Sequence, residues 1–197
     1  MDDEKRIDFT NQFLIAMPGM GGETFAGAVV YLCEHTDKGA LGLVINKPID
    51  ITLKHLFEKV ELSLDREDLA AEPVYFGGPV QTERGFVLHE AMTAEEEGAE
   101  PPYNSSLRIS GGLEMTTSKD VLEALSSGAG PKKLLVTLGY TGWAAGQLED
   151  EMGKNGWINV DAAHDIIFET PVAERYEKAL SLLGIDLGML SADAGHA

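Results

Sequence analysis

Apolar residues in this chain come in short runs, and almost every run is closed by glycine or proline. Phe13-Leu14-Ile15-Ala16 stops at Met17-Pro18 and the glycine-rich Gly19-Met20-Gly21-Gly22. Ala26 to His35 is followed by Thr36-Asp37-Lys38-Gly39 and then by Leu41 to Ile45. Two β-rich runs across a short Asp/Gly turn predict a hairpin. Further short strands are predicted at Val74 to Phe76, Gly85 to Leu88, Ser106 to Ser110, Leu134 to Leu138, Trp157 to Val160 and Ile166 to Phe168. The strands cluster in hairpin-like pairs and do not alternate regularly with helices, which argues against a doubly wound parallel sheet.

Helix signals are fewer. Thr52 can cap a helix whose stripe is Leu53, Leu56, Phe57 and Val60. Thr117 with Asp120 resembles a capping box, Val121, Leu122 and Leu125 give an apolar face, and Gly128 and Pro131 close it. Trp143 to Met152 reads as a third helix, and Thr170-Pro171 opens a last one that Gly184 stops. The sum is about nine short strands and four helices. The expected class is α+β, with a largely antiparallel, barrel-like sheet. With 197 residues the chain is expected to form one domain, 1–197, with 1–7 and 186–197 as peripheral tails.

Charge narrows the partners. Fifteen basic residues against 33 acidic ones give a net charge of -18. Affinity for nucleic acid rests largely on neutralising phosphates with Lys and Arg, so direct nucleic-acid binding is disfavoured. Cys33 is the single cysteine, which excludes an internal disulfide and a thiolate zinc cage. His55, His89 and His164 lack the spacing of a helical zinc site, and no metal or cofactor is expected. No apolar run is long enough to span a bilayer, and the polar start does not read as a signal peptide. A cytoplasmic protein without membrane partners is expected.

Several positions could carry chemistry. Cys33 and His35 stand two apart on a predicted strand, which points both to one face, and a neighbouring histidine can turn a thiol into a nucleophile or redox sensor. The competing reading is that Cys33 is a small buried hydrophobe. Gly77 and Gly78, followed by Gln81 and Arg84, form a glycine-rich strand end where a backbone can approach a ligand and Arg84 can pair with an anion. A tight turn with a surface arginine explains the same residues. Gly139-Tyr140-Thr141-Gly142-Trp143 is expected to link a strand to a helix start, a common place for ligands and equally a packing turn. Thr117 and Ser118 open a helix, where capping alone accounts for them. Asn46 and Lys47 end a strand before Pro48, and His89 leaves one as a candidate base or an exposed histidine.

Taken together, these motifs resemble the bacterial AlgH/YqgE family. The resemblance is carried by Phe13 to Pro18, Tyr31 to His35, Gly42 to Pro48, Gly77 to Val80, Arg84 to His89, Thr116 to Ser118, and Leu138 to Tyr140 with Gly146-Gln147-Leu148-Glu149. It runs over nearly the whole chain and implies a bifurcated, barrel-like sheet with helices outside it. It also implies a regulatory role, with the family's transcriptional label, and supplies no catalytic residues. Gln147 joins the ligand-binding candidates through it. The chain departs from the pattern at Gly22, where the family commonly has an aspartate; Glu23 is adjacent. Three functions follow as expectations: a regulator working through a protein or small-molecule partner, a ligand-binding protein or enzyme of unassigned substrate, and a thiol sensor at Cys33 and His35.

Overall fold

The structure, a computed structural model, describes residues 7–17, 22–91, 103–154 and 156–184. Residues 19–21 of the glycine-rich loop, the acidic segment from Ala94 to Pro102 and the expected C-terminal tail lie outside the described residues. So does the side chain of Glu23, next to Gly22.

The strands are β1 (Gln12–Ala16), β2 (Val29–Thr36), β3 (Gly39–Val44), β4 (Pro48–Thr52), β5 (Pro73–Phe76), β6 (Val80–Glu90), β7 (Ser106–Ile109), β8 (Leu113–Thr116), β9 (Leu134–Ala144) and β10 (Trp157–Asp161). Their main order is β10-β1-β2-β3-β9-β6-β8-β7. All neighbours along that path are antiparallel; among the described residues the single parallel pairing is between β5 and β9. β9 is where the sheet forks. One edge of it runs along β6. The other edge is shared, with Thr137 and Leu138 opposite β5, and Thr141 to Ala144 opposite β3. Gly77 sits in the fork: its N–H donates to Leu138 O at 2.9 Å, and its carbonyl accepts from Val44 N at 2.9 Å and from the Thr141 hydroxyl at 3.1 Å.

The helices are α1 (Gly22–Phe25), α2 (Leu53–Lys59), α3 (Glu67–Ala70), α4 (Lys119–Ser126), α5 (Gln147–Gly153), α6 (His164–Phe168) and α7 (Arg175–Ser181). Four of them, α2, α4, α5 and α7, have seven residues or more. These helices cover three apolar clusters. Phe13, Tyr31, Leu43, Leu88 and Leu135 fill the curl of the sheet beneath α6 and α7. Leu14, Val30, Leu32, Trp143 and Trp157 pack on the opposite face with Leu148 of α5. Leu53, Phe57, Val121 and Leu125 lay α2 and α4 over Val87 and Val136. β2 is therefore apolar without interruption from Val29 to Cys33, because both of its faces are covered.

Local chemistry explains most boundaries. The Thr52 hydroxyl accepts from His55 N at 3.3 Å and starts α2. For α4 the N-cap is Ser118, not Thr117, and Asp120 gathers the Ser118 hydroxyl, Asn104 N at 2.8 Å and Val121 N at 3.0 Å. Two expected elements change. Ile166 to Phe168 lies in helix α6, not in a strand; a short apolar run has no period that separates the two. Trp143 belongs to β9, and the third helix begins only at Gln147, after Gly146 turns the chain at φ +77°. β4 and β8, and the short helices α1, α3 and α6, carry no signal long enough to be read beforehand.

Candidate functional site

Cys33 and His35 do not share a face. Leu32 stands opposite Gly42 and Glu34 opposite Leu41, so Cys33 is the extra residue of a β-bulge. The bulge resets the alternation. Cys33 stays with Tyr31 and Leu43 inside the curl, while His35 stands opposite Ala40 and joins the Phe9 and Trp143 side. Cys33 is 1% exposed, and burial, helped by the charge of Glu34, pushes its thiol up, away from a reactive thiolate. His35 has a structural set of partners. Its Nδ1 accepts from Phe9 N at 3.0 Å, so the proton sits on Nε2, which donates to Glu149 Oε1 at 2.5 Å. Its ring stacks on Phe9. His35 thus joins the N-terminal segment to α5.

Other candidates also hold the backbone. Asn46 accepts from Val29 N at 2.9 Å and donates to Gly27 O at 2.8 Å, and the Lys47 ammonium reaches Thr24 O at 3.0 Å. Gly77, Gly78 and Gly139 let two strands cross where a Cβ on any of them would press on the backbone of the other. Tyr140 packs edge-on against Phe86, and Trp143 against Trp157. The Gln147 side chain accepts from Ala144 N at 2.9 Å and closes the turn into α5.

Gln81, Arg84, Thr117 and Ser118 do come together. Between Val80 and Gly85 the register of β6 on β9 breaks, and Gln81 to Arg84 bulge out exposed, with Gln81 at φ +49°. Arg84 Nη2 donates to the Thr117 hydroxyl at 3.2 Å and Nη1 to Gln81 Oε1 at 3.5 Å. Thr117 and Ser118 border a groove of about 270 Å³ between α2, α4, β6 and β9. Its walls are Leu56, Val60, Val87, Leu122, Val136 and Leu138, with Glu83 and Lys119 at the polar end. Asn46, Lys47, Trp143 and Gln147 do not line it.

His89 is fully buried rather than exposed. Its Nδ1 donates to Glu90 O at 2.8 Å, so Nε2 accepts from the Thr116 hydroxyl at 2.8 Å, and Thr116 in turn accepts from Ser106 at 2.8 Å. Burial holds the ring below the ordinary histidine range, against the pull of the Glu90 carbonyl and the Glu114 charge. The unfolded chain therefore binds the proton first. The stability His89 contributes should be complete above its unfolded value of about 6.5 and fall as the pH drops below it. His164, lowered by burial, adds the same sign. Urea unfolding at about pH 8 and about pH 5.5 checks this: the wild type should lose stability on acidification and His89→Gln should lose less. Equal losses would show that His89 takes no part.

Two buried charges escaped the sequence reading. Glu114, opposite His89 in the sheet, is 0% exposed and neither of its oxygens accepts a hydrogen bond; Arg108 Nε lies 3.7 Å away. Arg175, 6% exposed, donates to Ile45 O and Thr170 O. Nothing local marks either: Glu114 sits in a four-residue strand, and Arg175 opens an ordinary helix.

A family model described as DUF179, AlgH-like, matches residues 13–188. The chain belongs to the AlgH-like family. Among AlgH-like relatives, the UPF0301 protein of Paracidovorax citrulli is 60% identical, with 99% of each chain covered. The UPF0301 protein of Ralstonia nicotianae is 62% identical over 97% of this chain and 96% of its own. The solution structure of AlgH from Pseudomonas aeruginosa superposes with a TM-score of 0.76 at 43% identity, over the whole of both chains. It bears out the α+β class and the curled antiparallel sheet. A Corynebacterium diphtheriae protein shares the fold at 18% identity, with a TM-score of 0.69 over 89% of this chain and 87% of its own. Among the described residues of this AlgH-like chain, no helix is long and apolar enough to cross a membrane, and no group of three or more His, Cys, Asp or Glu could hold a metal.

Proposed function

We propose that this AlgH-like chain is a cytosolic regulatory protein that works by holding a partner in the groove between α2 and α4. The regulatory part of the reading rests on the resemblance to AlgH/YqgE regulators. The observation that carries the binding part is the groove itself: apolar walls closed at one end by the hydroxyls of Thr117 and Ser118, with Arg84 hydrogen-bonded to Thr117. Lys119 lines the groove with one carboxylate, Glu83, and Arg84 stands beside it on Thr117, in a chain with a net charge of -18. That combination suits an apolar group ending in a negative charge, on a small molecule or on a protein side chain. The net charge speaks against nucleic acid as the partner. A thiol sensor at Cys33 is less well supported, because the bulge separates Cys33 from His35 and burial pushes the thiol up.

Octanoate, a carboxylate on an apolar chain, is a suitable probe in a two-dimensional NMR titration of the labelled protein. Saturable shifts are expected at the amides of Leu56, Val87, Thr117 and Leu122. Arg84→Glu should weaken binding about tenfold, the equivalent of one charged hydrogen bond of about 1.4 kcal/mol. Shifts scattered over the surface, or an affinity indifferent to Arg84, would remove the groove from the reading.

A further inference from the structure

Arg175 poses a separate problem. A guanidinium at 6% exposure has given up most of its hydration, which a protein ordinarily offsets with a carboxylate. The chain has 33 acidic residues to draw on, yet among the described residues none forms an ion pair with Arg175. Two carbonyls serve its donors, Thr170 O at 3.0 Å from Nε and Ile45 O at 2.5 Å from Nη1. The face of Tyr75 lies 5.0 Å from its central carbon. Dipoles, a ring face and the Tyr75 hydroxyl, which accepts from Arg175, moderate the charge but do not neutralise it, and a guanidinium has five N–H donors to satisfy.

The same residue lines a cavity of about 120 Å³ beside β5, β9 and α6. That is well above the ~10–15 Å³ that admits one water. Tyr75 shares the cavity, and burial pushes its hydroxyl up despite the pull of Arg175, so it remains an O–H donor. Lys132 and Lys133 line it as well. Lys133 is engaged with Glu169 at 3.1 Å and Glu90 at 3.9 Å, whereas Lys132 has no ion pair among the described residues. Glu72 is the one acid in the lining, and it is exposed. The remaining lining, including Leu53, Leu135 and Ile167, is largely apolar and would raise the strength of any charge pairing inside.

We propose that the cavity floored by Arg175 and Tyr75 and flanked by Lys132 is a binding site for a phosphate-sized oxyanion. The occupant supplies the negative charge that the chain withholds from Arg175. The site is distinct from the α2/α4 groove and does not depend on it. Free phosphate and the phosphate group of a phosphomonoester present the same chemistry, and the size of the attached group tells them apart.

Calorimetric titration and thermal unfolding of the full chain test this, with inorganic phosphate and with phenyl phosphate, each against sodium chloride at matched ionic strength. At least one anion should bind saturably and raise the midpoint by about 5–11 °C at a hundredfold excess over its Kd. Binding of inorganic phosphate alone would assign the site to the free ion, and equal binding of phenyl phosphate would assign it to a phosphate group. Lys132→Glu, at an exposed position, should fold and weaken binding about tenfold or more. Arg175→Met should abolish it, and if that variant fails to fold Lys132→Glu carries the test alone. Arg84→Glu should leave anion binding unchanged, which separates this site from the groove. Neither anion exceeding the chloride control, or an affinity unaltered in Lys132→Glu, would overturn the proposal.

Discussion

Gly139→Ala is expected to lower stability by about 4 kcal/mol, which is about 8–16 °C in Tm for a chain of this size. Two penalties combine. Gly139 has φ +78°, a left-handed conformation that costs an L-residue about 1–2 kcal/mol. A Cβ there would press on the Gly78 carbonyl, lie 3.0 Å from Val80 O and 3.2 Å from Thr82 Cα. These are backbone atoms of the crossing segment, which Val80 holds to Tyr140 of β9, so relieving the overlap means shifting main chain and not a side chain. Gly153→Ala is the control. An added Cβ there meets nothing within 4 Å, at the end of α5, and stability should hold or rise by up to about 1 kcal/mol. Chemical denaturation of both variants decides the matter. Similar small effects would mean that the crossing is looser than the Gly77, Gly78 and Gly139 contacts require.

Glu114→Met is expected to stabilise the protein by about 2 kcal/mol, about 4–8 °C in Tm. A carboxyl group at 0% exposure gives up its hydration, and here neither oxygen accepts a hydrogen bond in return. Its one ion pair among the described residues, Arg108 Nε at 3.7 Å, is too long for a good charge-assisted hydrogen bond. Methionine fills a similar volume and adapts to irregular surroundings. The side chain of Arg108 is 37% exposed, so after the substitution water can solvate it. Arg108→Met should act in the opposite direction, by about 2 kcal/mol, since it strips the buried carboxylate of that ion pair. Opposite signs in the two variants support this account, and losses in both would refute it.

Much of the architecture was legible locally. The runs around Phe13, Val30 and Leu43 became β1, β2 and β3, joined at the Asp37-Lys38 turn. Thr52 capped α2 as its side chain required. Gly128, at φ +85°, and Pro131 closed α4 in the expected order. The ordered motifs from Phe13 to Glu149 were enough to assign the AlgH-like family. Periodicity, capping and turn chemistry act between residues a few positions apart, and such effects can be read from a short window of sequence.

The candidate site was less legible, because it depends on which strands pair and which faces meet. The two-residue spacing of Cys33 and His35 placed them on one face only while β2 stayed regular, and a bulge set by its register on β3 parted them. β9 continued through Gly139 to Ala144, where a turn was expected, because β3 offered an open edge there. Arg84 met Thr117 across 33 positions of sequence because β6 and β8 are neighbours in the sheet. The burial of Glu114 and Arg175 came from elements distant in the chain and left no local trace. The sequence by itself determined the class, most of the elements and the family. Which charges lost their water, and which side chains share a groove, was decided only when distant segments packed, since burial is a property of the assembled sheet and helices and not of any stretch within them.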